Sequence, residues 1–503
     1  MNAFNQWLVT ADEWLYTYGL VVLLLGVGLY FTVRSRAVQL RRAGTMLASV
    51  ASSRSGAEGG ISSFQAFAVG LAARVGVGNV AGVALALVAG GPGALFWMWV
   101  VAVVGMATSF VESTLAQVFK EPSRDFSYRG GPAYYMKNGL GARRLGAVFA
   151  VLILFSVGIC VVMVQANSLA AILDTTHHVP TWVTGIVLVA CTGPVVLGGL
   201  RSVARVTEWM APAMALAYVT LTVVVLVMNA STVPHVLADV VRSAFGADPA
   251  LAGVGGGVLA AVVNGARRGL FSNEAGLGTV PNAAGTATVS HPVRQGLIQA
   301  FGVFVDTILV CTATGLLILT ATGTYTPGVD LSSQGAVLTQ EAVAEHLGTW
   351  TDWPMTVLIV VLVFSTVLGC YSYGQVNVDY LGGQLAAQRV FGLALTGATL
   401  VGAVLSLTTV WALADIALGV GAVLNLVVIV RLGPWALGAL RDFDSQRRAG
   451  KDPVFVGHSN PFLPGDVVPG VWEAPAGAGR PRAGAAAETR ADGAAPPTPS
   501  ARP

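Results

Sequence analysis

From near residue 17 to near residue 431, one apolar stretch of membrane-spanning length follows another, and this succession leaves the chain little choice of fold. Crossing the ~30 Å hydrocarbon layer takes about 20 apolar residues as a helix. Lipid offers nothing to backbone N–H and C=O groups, so each segment must satisfy its own by coiling into a helix. Apolar residues make up 54% of the 503 and charged residues 11%, about half the charged share of a soluble domain. With a mean hydropathy of +0.70, the chain is expected to be an all-α integral membrane protein. Eleven spans are expected, near residues 17–33, 62–89, 94–118, 146–173, 181–198, 209–229, 256–288, 296–321, 354–374, 390–407 and 410–431.

The basic residues support this count. If the first span runs from outside to inside, all but four of the 28 lysines and arginines fall in inner loops or the C-terminal tail. Arg74, Arg267 and Arg268 lie in spans, and Arg242 is left in an outer loop. Basic residues are held on the cytoplasmic side, so the N-terminus is expected outside and the C-terminus inside, in a multi-pass protein of the cell (inner) membrane. The net charge of +3 therefore reflects topology and gives no hint of nucleic acid. Asp12 and Glu13 precede the first span and Arg34 and Arg36 follow it, the reverse of a signal peptide, so it is expected to stay as a spanning helix. Trp14, Tyr16 and Tyr18 would sit at its outer interface as an aromatic belt.

Two spans are interrupted alike, at Leu71-Ala-Ala-Arg-Val-Gly-Val-Gly-Asn-Val-Ala-Gly82 and at Arg267-Arg-Gly-Leu-Phe-Ser-Asn-Glu-Ala-Gly-Leu-Gly278. Paired interruptions of this kind point to a transporter's binding site. Setting the first span aside (1–40) leaves two sets of five, residues 60–229 and 256–431, each beginning with a broken helix. Because five is odd, the sets would lie in opposite orientation, as a five-plus-five inverted repeat. After Asp452 the chain turns to proline, glycine and alanine, and the tail 452–503 is expected to be disordered and dispensable. A short surface helix is expected within Gly335 to Leu347.

A break frees backbone groups that only protein, ligand or ion can satisfy. At Gly76, Gly78 and Asn79 the freed N–H groups open a half-helix, whose positive end suits a carboxylate. The carbonyls of Ala72 and Val75, just before, suit a monovalent cation. Carbonyls ending near Asn273 and Glu274 suit an ammonium group, and Gly276 and Gly278 permit close approach, so a zwitterion fits the two ends. The alternative is that these glycines only let helices pack closely. Gln165 either bonds substrate or bonds another helix, and Ser365 and Thr366 either complete an oxygen shell or bond back to their own helix. Arg74, Glu112, Arg267, Arg268, Glu274, Asp306 and Asp415 lie at membrane depth, where structural pairing is expected, with Glu112 or Glu274 as a partner for Arg74.

The four cysteines, Cys160, Cys191, Cys311 and Cys370, lie in apolar spans without paired spacing and read as small buried hydrophobes. All six histidines fall in loops or the tail, so no metal or proton relay built on histidine is available in the membrane. An integral membrane enzyme would need a convergent nucleophile, base or metal cluster, and no such cluster is visible.

The runs Gly60-Ile-Ser-Ser-Phe-Gln-Ala-Phe, Leu71 to Ala84, Gly90-Gly-Pro-Gly-Ala-Leu-Phe-Trp-Met-Trp99, Gly130-Gly-Pro-Ala-Tyr-Tyr, Phe271-Ser-Asn-Glu-Ala-Gly-Leu-Gly278 and His291-Pro-Val-Arg-Gln-Gly296 closely resemble the alanine or glycine:cation symporter family. The resemblance runs from about residue 10 to 460. It implies an inverted-repeat fold with one extra N-terminal helix and sodium-coupled uptake of a small amino acid. It further implies that Gly76, Gly78, Asn79, Gln165 and Thr366 bind substrate, and that Ser365 with the carbonyls of Ala72 and Val75 holds sodium. One departure from the family's pattern stands at Cys370, where many members have tryptophan: the cysteine is expected to leave a larger pocket, unless a neighbour fills it, and so to admit serine, threonine or D-isomers. The expected partners are a small amino acid, sodium as coupling ion and the bilayer. The nearest rival is a proton-driven carrier.

Overall fold

A computed structural model describes residues 3–51, 53, 61–123, 128–246, 257–325 and 337–473. Apart from one two-stranded hairpin, Glu121–Pro122 with Tyr128–Arg129, the named elements are helices. In chain order the helices that matter here are α1 (Asn5–Arg34), α2 (Ser63–Arg74), α3 (Gly78–Gly90), α4 (Gly93–Val118), α5 (Arg143–His177), α6 (Thr181–Leu197) and α7 (Gly199–Met228). There follow α8 (Gly257–Asn273), α9 (Pro281–Ala284), α10 (Pro292–Thr320), α11 (Leu338–Leu347), α12 (Asp352–Tyr380), α13 (Leu385–Val404) and α14 (Leu407–Arg448).

Among the described residues, eight helices are long and apolar enough to cross a membrane, or nine if the bent pair α2 and α3 forms one span. Helix α6 is a shorter apolar helix. The long connection that follows α4 folds into the hairpin and a helix at Pro132–Leu140, and the connection after α7 carries an amphipathic helix at Val233–Ala244. The surface helix expected near Gly335 is α11.

Helix α2 starts where its sequence says it should. Ser62 accepts from the Gln65 N–H at 3.0 Å while Gln65 accepts from the Ser62 N–H at 3.0 Å, so each orphan donor at this terminus finds a side chain. The chain then bends by 49° between α2 and α3. Helices α7 and α12 flank α2, α4 packs against both α8 and α10, and α13 packs against α5 and α6. The two interrupted segments thus lie inside the bundle, where protein can satisfy the freed backbone.

Side chains tie the connections between the helices to one another. On one face Arg129 pairs with Asp379 at 2.6 Å and Lys137 with Glu121 at 2.7 Å. On the other, His346 meets both Thr320 and Asn229, and Tyr325 donates to the Leu87 carbonyl at 3.0 Å.

Three expectations need correction. Trp14 and Tyr18 are exposed, but Tyr16 is buried, with the Arg267 guanidinium 4.9 Å from its ring centroid. One residue advances a helix by about 100°, so three aromatics at alternate positions cannot share one belt. Second, α14 runs to Arg448, well past residue 431.

Third, residues 452–473 of the tail are packed. The Phe455 N–H donates to the Ser290 carbonyl at 2.9 Å, and Trp472 Nε1 donates to the Gln117 carbonyl at 3.0 Å. Lys120, whose Nζ donates to the Ala287 carbonyl at 2.9 Å, lies against the rings of Tyr128 and Trp472. Burial pushes the pKa of this lysine well below its ordinary value. A few large apolar residues, Phe455, Leu463, Val467 and Trp472, suffice to anchor a segment that composition alone marks as unable to order itself. The rest of the tail lies outside the described residues.

Candidate functional site

Between α2 and α3 the backbone leaves the helix at Val75, which is extended. The N–H groups this frees are not vacant. Gly76 N–H donates to Asn79 Oδ1 at 2.9 Å and Val77 N–H to Gln165 Oε1 at 3.0 Å. On the other side of the break, the Thr366 hydroxyl donates to the Ala72 carbonyl at 3.0 Å. Gln165 comes from α5 and Thr366 from α12, so four helices converge at this point. A Cβ at Gly76 would lie 2.2 Å from Thr366 Oγ1 and 3.0 Å from Gln165 Oε1, so glycine is what lets them close in.

Past the break the chain makes a π-turn, Gly78–Gly82, and two further π-turns interrupt neighbouring spans at Ser156–Val161 and Phe304–Cys311. Wider turns of this sort gather at functional sites because they turn backbone groups out of the helix. Asn79 carries the connection between the segments. Its Nδ2 donates to Asp306 Oδ1 at 2.6 Å and to the Ser272 hydroxyl at 3.0 Å. Ser272 and Thr307 each donate to Asp306 Oδ2 at 2.8 Å. The first break, the end of α8 and the middle of α10 are thereby joined through one buried carboxylate. The sequence marked Asn79 at the break and Asp306 in an apolar span separately, and that the two meet could not be read from it.

The second break differs from the first. Helix α8 ends at Asn273, Glu274 adopts a left-handed conformation at φ 56, and a turn with Gly276 at φ 89 and Gly278 at φ 74 leads only to the short α9. Gly276 and Gly278 do not leave their N–H groups open to a ligand. They donate to Glu112 Oε1 at 3.1 Å and Oε2 at 3.3 Å. Asn425 reinforces this clamp, donating from Nδ2 to Glu112 Oε2 at 2.9 Å and to the Gly276 carbonyl at 2.9 Å. Asn273 accepts from the Ala275 N–H through Oδ1 at 3.0 Å, while its buried Nδ2 has no hydrogen-bond partner.

The remaining residues fall as follows. Arg74 pairs with neither Glu112 nor Glu274. It donates to the Gln299 carbonyl at 3.0 Å and to the Ser109 hydroxyl at 3.1 Å, neutral oxygens that its long side chain reaches more directly. Arg268 pairs with Asp415 at 2.5 Å and Arg267 with Asp12 at 3.2 Å. Ser365 turns from the break, donating to the Leu362 carbonyl at 2.8 Å and to Met214 Sδ at 3.1 Å, so serving a cation would require its hydroxyl to rotate. Cys370 is buried beside Gly369, whose backbone abuts Ala73.

Arg74, Gly78, Gln165, Phe271, Glu274 and Thr279 face one cavity of about 10 Å³, the room a single water needs. Phe271, Leu277 and Leu418 also bound this cavity, and Cys370 is not among its lining residues. Among the described residues, no cluster of histidine, cysteine and acidic side chains could hold a metal ion.

A family model described as the sodium:alanine symporter family matches residues 1–457. The chain is 42% identical over 448 residues to a probable sodium/glutamine symporter of Bacillus subtilis, covering 88% of this chain and 92% of that one. It is 42% identical over 460 residues to an amino-acid carrier protein of the same organism, covering 92% and 96%. It is also 37% identical over 412 residues to a sodium/proton-dependent alanine carrier protein of Bacillus sp. PS3, covering 79% and 91%. Among solved structures, the manganese transporter of Eremococcus coleocola matches with a TM-score of 0.50 at 14% identity, over 78% of this chain and 82% of that one. At that identity the likeness concerns the fold alone.

Proposed function

The chain belongs to the sodium:alanine symporter family and is a membrane transporter, not an enzyme; from that premise we propose that it imports a small neutral amino acid, alanine or glycine foremost and serine or D-alanine as further substrates, with sodium as the coupling ion. The observation that carries this reading is the pair of N–H groups at Gly76 and Val77, each holding a side-chain amide oxygen. A half-helix start that already accommodates oxygen acceptors suits a substrate carboxylate, which would take the place of the Gln165 oxygen. The free Nδ2 of Asn273 adds a donor, Gly78 lines the cavity, and Thr366 lies against Gly76. The carbonyls of Ala72 and Val75 with the hydroxyls of Thr366 and Ser365 would form the sodium site. Gly276 and Gly278 then act through Glu112, shaping the second break without touching substrate.

In this reading the chain has eleven spans, one extra helix followed by two inverted sets of five over residues 60–229 and 256–431, with the first and sixth helices of the repeat broken. The N-terminus lies outside and the basic face, with the C-terminus, is cytoplasmic, as the lysine and arginine distribution supports. Alternating access would part the two breaks and open the small cavity between them. Sodium supplies work of about 2.3 kcal/mol per charge per 100 mV from the potential alone, and coupling requires that ion and substrate stabilise a common state.

The test is uptake in proteoliposomes. Removing the sodium gradient while keeping the proton gradient should abolish concentrative alanine uptake, whereas undiminished uptake would identify a proton-driven carrier. A competition panel with glycine, serine, D-alanine and glutamine, run on wild type and Cys370→Trp, ranks the substrates. Strong competition by glutamine alone would overturn the preference for small side chains.

A further inference from the structure

Helices α1 and α14 end side by side on the basic face, and between their ends lies a cavity of about 610 Å³ remote from both breaks. Arg34, Arg36, Arg41 and Arg42 line it from one end of the sequence, Arg441 and Arg448 from the other. Asp444 is the single carboxylate among the lining residues, and it bonds both Arg41, at 2.7 Å, and Arg42. The lining thus sets six positive charges against one negative, and four of its arginines, Arg34, Arg36, Arg441 and Arg448, have no carboxylate partner in it.

The other guanidiniums meet neutral groups or nothing, and Arg34 lies 6.0 Å from the centroid of the Tyr30 ring. Arg448 donates to the Asp444 carbonyl at 3.2 Å, and Arg441 to the carbonyls of Leu437 and Phe462 at 3.4 Å. Arg42 Nε is buried and has no hydrogen-bond partner, and among the described residues the Arg36 side chain makes no hydrogen bond or ion pair. Arg36 and Ala37 are both held in the left-handed region, at φ 56 and φ 51, so the chain turns sharply between α1 and the next helix and keeps Arg36 on the cavity. Like charges brought together in this way repel one another unless an anion joins them. Guanidinium forks match phosphate oxygens, and basic pockets between membrane helices take anionic headgroups.

We propose that this cavity binds a phosphate-bearing anion, and that its source is the headgroup of an anionic membrane lipid. Free inorganic phosphate shares the recognition chemistry. The lipid is favoured because Val33 and Leu40, adjoining the arginines in sequence, are 68% and 70% exposed and so present apolar surface next to the basic cavity. An acyl chain uses that surface and a free ion does not.

The experiment uses the full chain in neutral detergent, with binding of phosphatidylglycerol, phosphatidylcholine and inorganic phosphate followed by native mass spectrometry and by the shift in Tm. Phosphatidylglycerol should bind and stabilise more than phosphatidylcholine. Arg36→Gln and Arg448→Gln should each weaken its binding about fivefold, and together about 30-fold, with the lipid-free Tm no lower than wild type because repulsion among the arginines is relieved. Equal binding by wild type and the double variant would overturn the site. So would equal stabilisation by the two lipids. Phosphate binding with the same arginine dependence, without competition from phosphatidylglycerol, would overturn the lipid as its source. If the double variant fails to fold, the two single variants carry the comparison.

Discussion

Asn79 and Asp306 are 227 positions apart in the chain, yet the Asn79 amide donates to the Asp306 carboxylate at 2.6 Å and so joins the first helix break to the middle of α10. The same carboxylate takes two hydroxyls, from Ser272 and Thr307. Movement of α3 relative to α8 and α10 must break or carry this node.

Replacing Asn79 with alanine leaves Asp306 Oδ1 buried without that donor, which costs about 1–3 kcal/mol. Asn79→Ala should therefore lower the Tm in detergent and reduce alanine uptake in proteoliposomes. If both stay at wild-type values, the node is not what holds the break.

At Gly76 the added methyl of Gly76→Ala would stand 2.2 Å from Thr366 Oγ1. Thr366 must then swing away and give up its bond to the Ala72 carbonyl, so uptake should be lost. Gly26→Ala, where the space beyond the backbone is open, serves as the control and should transport normally.

The ordered part of the tail makes a prediction opposite to that drawn from its composition. Trp472→Ala removes a buried ring that packs on Phe455 and Lys120, and buried tryptophans cost about 3–5 kcal/mol to truncate. Its Tm should fall clearly below wild type. A chain ending at Asp452 should fall further, and a stable, fully active truncation would return the tail to dispensable status.

His291, just before α10, accepts from the Val293 N–H at Nδ1 and faces Asp442 through Nε2 at 3.3 Å, so its proton sits on Nε2. Burial holds its pKa below the ordinary 6.5, with the bond to Asp442 opposing in part. Below pH 6.5 the unfolded chain takes up a proton that the folded chain refuses, so stability should fall as pH drops below 6.5 and be level above it. Melting curves across this range should show the decline in wild type and a weaker one in His291→Asn.

Much of this protein was legible in its sequence, because lipid imposes its demands locally. A run of apolar residues must become a helix, lysines and arginines keep to one side, and a glycine-rich interruption in such a run marks a place where backbone groups need partners. These demands picked out Gly76, Gln165 and Thr366, which the fold brings together. The identity of the partners was a matter of tertiary structure. Arg74 looked like half of an ion pair and instead bonds neutral oxygens, and the N–H groups of Gly276 and Gly278 hold Glu112. Each of these turns on which side chain arrives from a distant helix, and a helix's own sequence does not contain that information. The two breaks were determined by the sequence; what satisfies them was decided only when four helices closed around them.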